Sequence, residues 1–296
     1  MTLTSNEKSG DPELITRDFV SVKSKLYTKK LPRYPRASSL YKDCMRQLVL
    51  LNRCKIEEKE YVKFSNTVVF DIGNSVHFWA QNTKSFISDD LRSGFWRCRS
   101  CKYTTPFTKK VKEKCPVCDA RPEAFEYIEY SLKMEKPLFV TGHPDMFVEK
   151  PENNFRVLEL KTIDTVAFDK LKAPLIEHLW QVQTYMWGIS KDILAKNISF
   201  DPKYGYVMYI SKGFKMKSSP VKTFLVKQDK VILRDILNKL TEFKKGYIEG
   251  ALPPRMAPCF DSGYTTYLAK NCPVLNFCKI ERKSLTDKKI CGIDKE

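Results

Sequence analysis

Two Cys-x-x-Cys pairs, Cys98/Cys101 and Cys115/Cys118, stand thirteen residues apart and constrain this chain more than any other feature. Four thiolates at that spacing can close a tetrahedral structural site, the geometry of a zinc ribbon. The segment around them, residues 95–122, is basic and short of apolar side chains, so metal ligation would supply its folding free energy. Pro116 suits a tight knuckle, and a redox reading would need a thioredoxin-like context that is absent. Met1 to Pro12 is polar and lacks the apolar core of a signal peptide. The expectation is therefore a cytoplasmic protein with ten cysteines, for which metal ligation is favoured over disulfide bonding. Apolar runs such as Leu48–Leu51 are far too short to span a bilayer.

The 296 residues carry a formal charge of +17, which points to a polyanionic partner, most simply nucleic acid. The excess is clustered: eight basic against two acidic residues between Arg97 and Arg121, and eleven against three between Lys203 and Lys245. Lys109, Lys110, Lys112 and Lys114 fall between the two Cys pairs and are candidate phosphate contacts. Tyr103, Phe107, Phe214 and Phe224 are interleaved with the charge, placed either to stack bases or to pack a core.

Residues 1–36 read as a polar arm. Ser38-Ser39 caps a helix with apolar positions Leu40, Met45, Leu48, Val49 and Leu51, and a second helix is expected from Asn74 to Phe86. Phe125–Met134, Pro137–Val148 and Phe155–Thr162 read as strands, the last two joined by a turn through residues 149–154. Leu175–Ser190 and Val231–Ile248 read as helices, and Tyr204–Ile210 and Val221–Val226 as strands. Residues 251–296 read as irregular. Strands flanked by helices give an α/β class. The domain reading is a core over 37–94 plus 123–250, a ribbon insertion over 95–122, and a Cys-containing segment over 251–296 that packs on the N-terminal helix.

The chemistry concentrates in Gly142-His-Pro-Asp145 and Glu159-Leu-Lys161. On a strand Glu159 and Lys161 share a face while Leu158 and Leu160 point into the core, and Asp145, on the preceding strand, lies beside Glu159. Two carboxylates and a lysine form a hard-oxygen site for Mg²⁺ or Mn²⁺; taken alone, the pattern reads better as a surface salt bridge on a hairpin. Gln181 and Tyr185 lie four apart on one helix face, where Gln181 can orient the lysine or a phosphate oxygen and Tyr185 can bind a DNA backbone. His77 stands near a helix start and offers an imidazole to the carboxylates.

In this order, His77, Gly142-x-x-Asp145, Glu159-x-Lys161 and Gln181-x-x-x-Tyr185, the motifs resemble the PD-(D/E)XK nuclease superfamily, in particular its RecB-like exonuclease branch of CRISPR-associated and phage-encoded enzymes. The resemblance covers about residues 37–94 and 125–280. It implies a restriction-endonuclease-like core, a central mixed sheet between helices. It further implies metal roles for His77, Asp145, Glu159 and the Leu160 carbonyl, a catalytic role for Lys161, and ordering or DNA-contact roles for Gln181 and Tyr185. That branch often carries a four-iron cluster held by one N-terminal and three C-terminal cysteines. Cys44, Cys272 and Cys278 match this pattern; Cys259 is a displaced fourth, with Cys54 and Cys291 as rivals. Four thiolates suit iron–sulfur or zinc alike.

The activity implied is a Mg/Mn-dependent deoxyribonuclease, an exonuclease acting on DNA ends or single strands in recombination, repair or replication. Alternatives are a zinc-ribbon nucleic-acid-binding protein with an inactive nuclease fold and a structure-specific or restriction-type endonuclease. No GxxxxGK[ST] loop is present, so any helicase function would come from a partner helicase or recombination protein.

Overall fold

The computed structural model describes residues 28–30, 33–54, 59–61, 64–83, 88–89, 91–149, 154–192, 195–196, 198–213 and 219–279. In chain order the described elements are β1 (Thr28–Lys30), α1 (Met45–Arg53), β2 (Lys59–Tyr61), α2 (Phe64–Asn82), β3 (Arg92–Cys98), β4 (Thr108–Lys109), β5 (Phe125–Ile128), β6 (Leu132–Met134), β7 (Val140–Gly142), β8 (Met146–Glu149) and β9 (Phe155–Ile163). There follow α3 (Thr165–Lys170), α4 (Ile176–Lys191), β10 (Tyr204–Ser211), β11 (Val221–Lys227), α5 (Lys230–Glu249), α6 (Ala257–Phe260), α7 (Tyr267–Lys270) and α8 (Leu275–Lys279). The chain divides into two compact units, residues 1–31 with 57–75 and residues 32–56 with 76–296. In the first, β1 and β2 pair antiparallel, Thr28 opposite Tyr61, and the early turns of α2 follow. All else described below belongs to the second.

That second unit is built on a seven-stranded mixed sheet in the order β11-β10-β9-β8-β3-β4, with β5 also pairing β3. β9 and β10 are parallel and the other pairs antiparallel. This is the α/β restriction-endonuclease-like architecture, a central mixed sheet with helices packed on it. β9 is interior and covered on both faces. Val157 joins one apolar cluster with Phe147, Val182, Met186, Val207 and Tyr209. Leu158 and Leu160 join another with Trp96, Met146 and Ile210. Glu159 is thus buried as well, at 2% exposure, where strand alternation alone suggests one solvated face.

α4 packs on β9 and β10 and against α5, and every residue from Trp180 to Ile189 is buried. α5 is amphipathic, burying Ile236, Leu240 and Phe243. Asp229 caps its first N–H groups, and Gly250, at φ 79°, ends it in the left-handed conformation. Part of the basic excess is spent inside this frame. Lys222 Nζ donates to the carbonyls of Phe168 and Leu171 at the end of α3, and Lys239 Nζ donates to those of Leu40, Tyr41 and Asp43. These ammonium groups close helix and turn ends.

Several boundaries differ from the sequence reading. α1 starts at Met45 with Cys44 as its N-cap, because the Ser39 hydroxyl bonds the Asp43 carboxylate at 2.9 Å rather than a helix N–H. The helix expected over 74–86 runs Phe64–Asn82. The strand expected over 137–148 breaks at His143-Pro144-Asp145, since Pro144 has no N–H to give a ladder. The strand over 125–134 also breaks, its second half leaving β3 to pair with β7. Residues 257–279 form three short helices where irregular chain was expected.

β3 runs through the expected start of the insertion without interruption: Arg92 and Ser93 pair with β8, and Phe95–Cys98 pair with β5. Trp96, Cys98 and Cys115 share their apolar cluster with Leu158 and Leu160. The Cys-rich segment therefore shares a core with β9. The arm over 1–27, most of the 149–154 turn and Cys291 lie outside the described residues. No helix among the described residues is long and apolar enough to cross a membrane.

Candidate active site

The β8–β9 register, Met146 opposite Leu158 and Phe147 opposite Val157, carries Asp145 to the position facing Glu159. Asp145 is 6% exposed and both its oxygens are used. Oδ2 accepts the Leu160 N–H at 2.6 Å, and Oδ1 lies 3.0 Å from His77 Nδ1.

Glu159 Oε1 receives Lys161 Nζ at 2.7 Å and Gln181 Nε2 at 2.6 Å. Its Oε2 is buried without a hydrogen-bond partner. Burial, and then the Asp145 carboxylate beside it, hold the Glu159 carboxyl well above the usual range, with Lys161 opposing. Burial disfavours the charged form of Lys161, but Glu159 and Asp145 outweigh it and raise its pKa. His77 behaves alike: burial opposes its charge and the Asp145 hydrogen bond overcomes it. With Glu129, the site sets three carboxyls against Lys161 and His77.

α2 supplies two of its side chains. His77 and Gln81 are one turn apart on the same face. Gln81 Nε2 donates to Glu129 Oε1 at 2.8 Å and to the Asp145 carbonyl at 3.0 Å. His77, Glu129 and Asp145 bring ligand atoms within 4.8 Å of one another. Burial raises the Glu129 carboxyl, with Gln81 opposing. The C-terminus of α2 is held to the sheet by the buried Arg92, whose Nη1 donates to the carbonyls of Ala80, Gln81 and Thr83 at 3.1, 2.7 and 3.1 Å.

α4 supplies the rest. Tyr185, 1% exposed, donates to the His143 carbonyl at 3.0 Å and accepts from Gln181 at 3.1 Å. Its ring and hydroxyl are thus enclosed by the protein. Gln181 bonds Glu159 rather than Lys161. Gly142 is required by this contact: a Cβ there would stand 2.7 Å from Tyr185 Cε1. At the start of α4 the Tyr209 hydroxyl accepts the Leu175 N–H at 2.9 Å and lies 2.7 Å from His178 Nδ1. Burial, reinforced by the charge of Lys161, lowers His178 to about 4, so its imidazole is neutral.

The ribbon cysteines converge. Cys98 and Cys118 Sγ are 3.7 Å apart, Cys101 and Cys115 Sγ 3.6 Å, and all four lie within 4.8 Å of one another. The two pairs are folded alike. Lys102 and Asp119, each just after a pair, take positive φ of 65° and 55° and donate their N–H to the backbone carbonyls of Cys98 and Cys115. The N–H groups of Cys101 and then Ser100 pull the Cys98 thiol down to about 6. These four thiols are close enough together to hold a metal ion. Nearby, Lys109 pairs with Glu149 at 2.6 Å and Lys110 with Asp89 at 3.5 Å; Lys112 and Lys114 are exposed.

The second cysteine set also converges, but more widely. Cys44, Cys259, Cys272 and Cys278 line one cavity of about 240 Å³ between α1 and the C-terminal helices; Cys54 does not line it and is disulfide-bonded, contrary to the expectation that favours metal ligation over disulfides. Burial first, then Cys278 and Cys272, push the Cys44 thiol up to about 11.

A family model described as the PD-(D/E)XK nuclease superfamily matches residues 35–279. The chain belongs to that superfamily. No curated protein matches it at a significant level. Similar solved structures include a protein called SSO0001, at 13% identity and TM-score 0.41 over 90% of this chain and 96% of that one. They also include LHK-Exo in complex with dAMP, at 10% and 0.40 over 84% and 100%. LHK-Exo, an alkaline exonuclease from Laribacter hongkongensis, appears a second time at 11% and 0.39 over 79% and 95%.

Within this PD-(D/E)XK site, sequence reasoning missed Glu129 and Gln81. Both left a trace. Gln81 is one turn beyond His77, and Glu129 continues the buried phase of Phe125 and Tyr127, an odd place for a carboxylate without a charge partner.

Proposed function

We propose that the protein is a Mg²⁺- or Mn²⁺-dependent deoxyribonuclease that shortens DNA from ends or single strands. One observation carries this reading: Glu159 Oε2 is buried without a hydrogen-bond partner, in a carboxyl crowded by Asp145. An orphaned carboxylate oxygen is costly unless a cation meets it. His77, Glu129, Asp145 and Glu159 would hold that cation. When bound, the ion polarises the phosphodiester and acidifies the attacking water. Lys161 supplies the fixed positive charge beside the scissile phosphate and stabilises the charge that develops there. Gln181 and Tyr185 keep Glu159 in place, and α2, tied down by Arg92, keeps His77 in place.

We assign zinc to the ribbon tetrad. Sγ separations of 3.6 and 3.7 Å match the edge of a tetrahedron with zinc–sulfur bonds of about 2.3 Å. We assign a four-iron cluster to the second set. Its sulfurs do not form a group closed within 4.8 Å, unlike the tetrad. They surround a cavity too large for one ion, as thiolates on the corners of a cubane do.

The test is cleavage of end-labelled linear and closed circular DNA with Mn²⁺, with one strand or two. Linear DNA is expected to be degraded and circular duplex spared, and Lys161→Ala or Asp145→Ala to abolish cleavage without loss of DNA binding. Unchanged activity in either variant sinks the assignment. Salt-sensitive binding without cleavage by the wild type leaves an inactive nuclease fold.

A further inference from the structure

The cavity of the second cysteine set has one more feature. Tyr264 lines it together with the four cysteines, and the Tyr264 hydroxyl is buried without a hydrogen-bond partner. A buried hydroxyl is almost always bonded. The residue is also held at φ 65°, in the left-handed region that bulky side chains rarely occupy. Its surroundings enforce that conformation. The Tyr264 N–H donates to the Cys259 carbonyl at 2.8 Å. Its ring meets Phe260 edge-on at 6.5 Å, and the Lys279 ammonium stands 5.7 Å from the ring centre. A strained backbone and an orphaned donor at one residue are two costs that share one purpose if the cavity's occupant accepts the hydroxyl proton.

We propose that Tyr264 donates a hydrogen bond to a sulfur of the cluster held by Cys44, Cys259, Cys272 and Cys278, and thereby raises the cluster's reduction potential. The inference rests on the four-iron reading of that cavity. Hydrogen bonds to cluster or ligand sulfurs spread the negative charge of the reduced state and are among the main levers a protein has on potential. Tyr264 acts through this bond, so it is a positioning and tuning residue rather than a catalytic one.

The experiment is anaerobic purification of the full chain, iron and sulfide analysis, and a potentiometric titration followed by visible absorbance and electron paramagnetic resonance. Wild type is expected to contain iron and sulfide, and Tyr264→Phe to retain both with a midpoint potential shifted to a more negative value. Iron-free wild-type protein overturns the cluster reading itself. A loaded Tyr264→Phe with unshifted potential overturns the Tyr264 proposal and leaves the cluster standing. If Tyr264→Phe loses iron, the vibrational bands of the wild-type cluster are compared in H₂O and D₂O. A shift supports a proton bonded to sulfur, and identical spectra overturn it.

Discussion

Gly142→Ala is the sharpest probe of how the site is held. The added Cβ would stand 2.7 Å from Tyr185 Cε1, 3.1 Å from Ala37 Cβ and 3.2 Å from the Tyr185 hydroxyl, where ordinary carbon contacts lie at about 3.5–4.0 Å. The ring must retreat by nearly an ångström. It has nowhere to go: it is 1% exposed, and its hydroxyl is tied to the His143 carbonyl and to Gln181. Overpacking of this kind costs about 1–3 kcal/mol. The displacement passes through Gln181 to Glu159, and misplacing a reacting group by about 1 Å can lower the rate by about 10²-fold. Urea unfolding and the rate of linear-DNA cleavage at saturating Mn²⁺ measure the two effects. Tyr185→Phe is the control: it keeps the ring, gives up two hydrogen bonds, and is expected to cost about 1 kcal/mol. A Gly142→Ala protein with wild-type midpoint and wild-type rate would refute the claim that this glycine exists for Tyr185.

Glu129→Gln should raise the Mn²⁺ concentration for half-maximal cleavage by roughly ten- to a hundredfold; an unchanged titration removes Glu129 from the metal site. Cys115→Ser should destabilise the nuclease core as a whole, by an amount on the order of several kcal/mol, because Cys98 and Cys115 share a cluster with Leu158 and Leu160. Separate melting of a ribbon, with the core transition unmoved in calorimetry, would show the opposite. His178 gives a pH signature. Its folded-state pKa is lowered to about 4 against about 6.5 in the unfolded chain. The unfolded state therefore binds the extra proton between those values, and stability falls as pH is lowered through that window. Urea midpoints measured from pH 7 to pH 4 should decline less for His178→Gln, and an identical decline argues against a buried neutral imidazole.

The motif residues were legible in the sequence because their spacing is tied to element periods. Glu159 and Lys161 share a strand face by a period of two, Gln181 and Tyr185 a helix face by a period near four, and Cys-x-x-Cys pairs close a knuckle locally. Those relations survive without knowing what lies across the molecule. Glu129 and Gln81 were not legible, since their meaning comes from meeting Asp145 and His77 through contacts dozens of residues apart. Charge misled for the same reason. Lys222 and Lys239 count as surface basicity in the sequence, yet each spends its ammonium on backbone carbonyls of a distant segment.

By itself, then, the sequence determined which side chains could do chemistry and which of them travel together on one strand, helix or knuckle. Only the tertiary structure decided that β9 is buried on both faces, that the Cys-rich segment shares its core, and that the Tyr185 ring is buried with its hydroxyl bonded to Gln181 and the His143 carbonyl. The physical reason is burial. Whether a carboxylate, a lysine or a tyrosine is paired, strained or shifted in pKa depends on the solvent it loses and the partners it gains, and both are set by contacts distant in the chain.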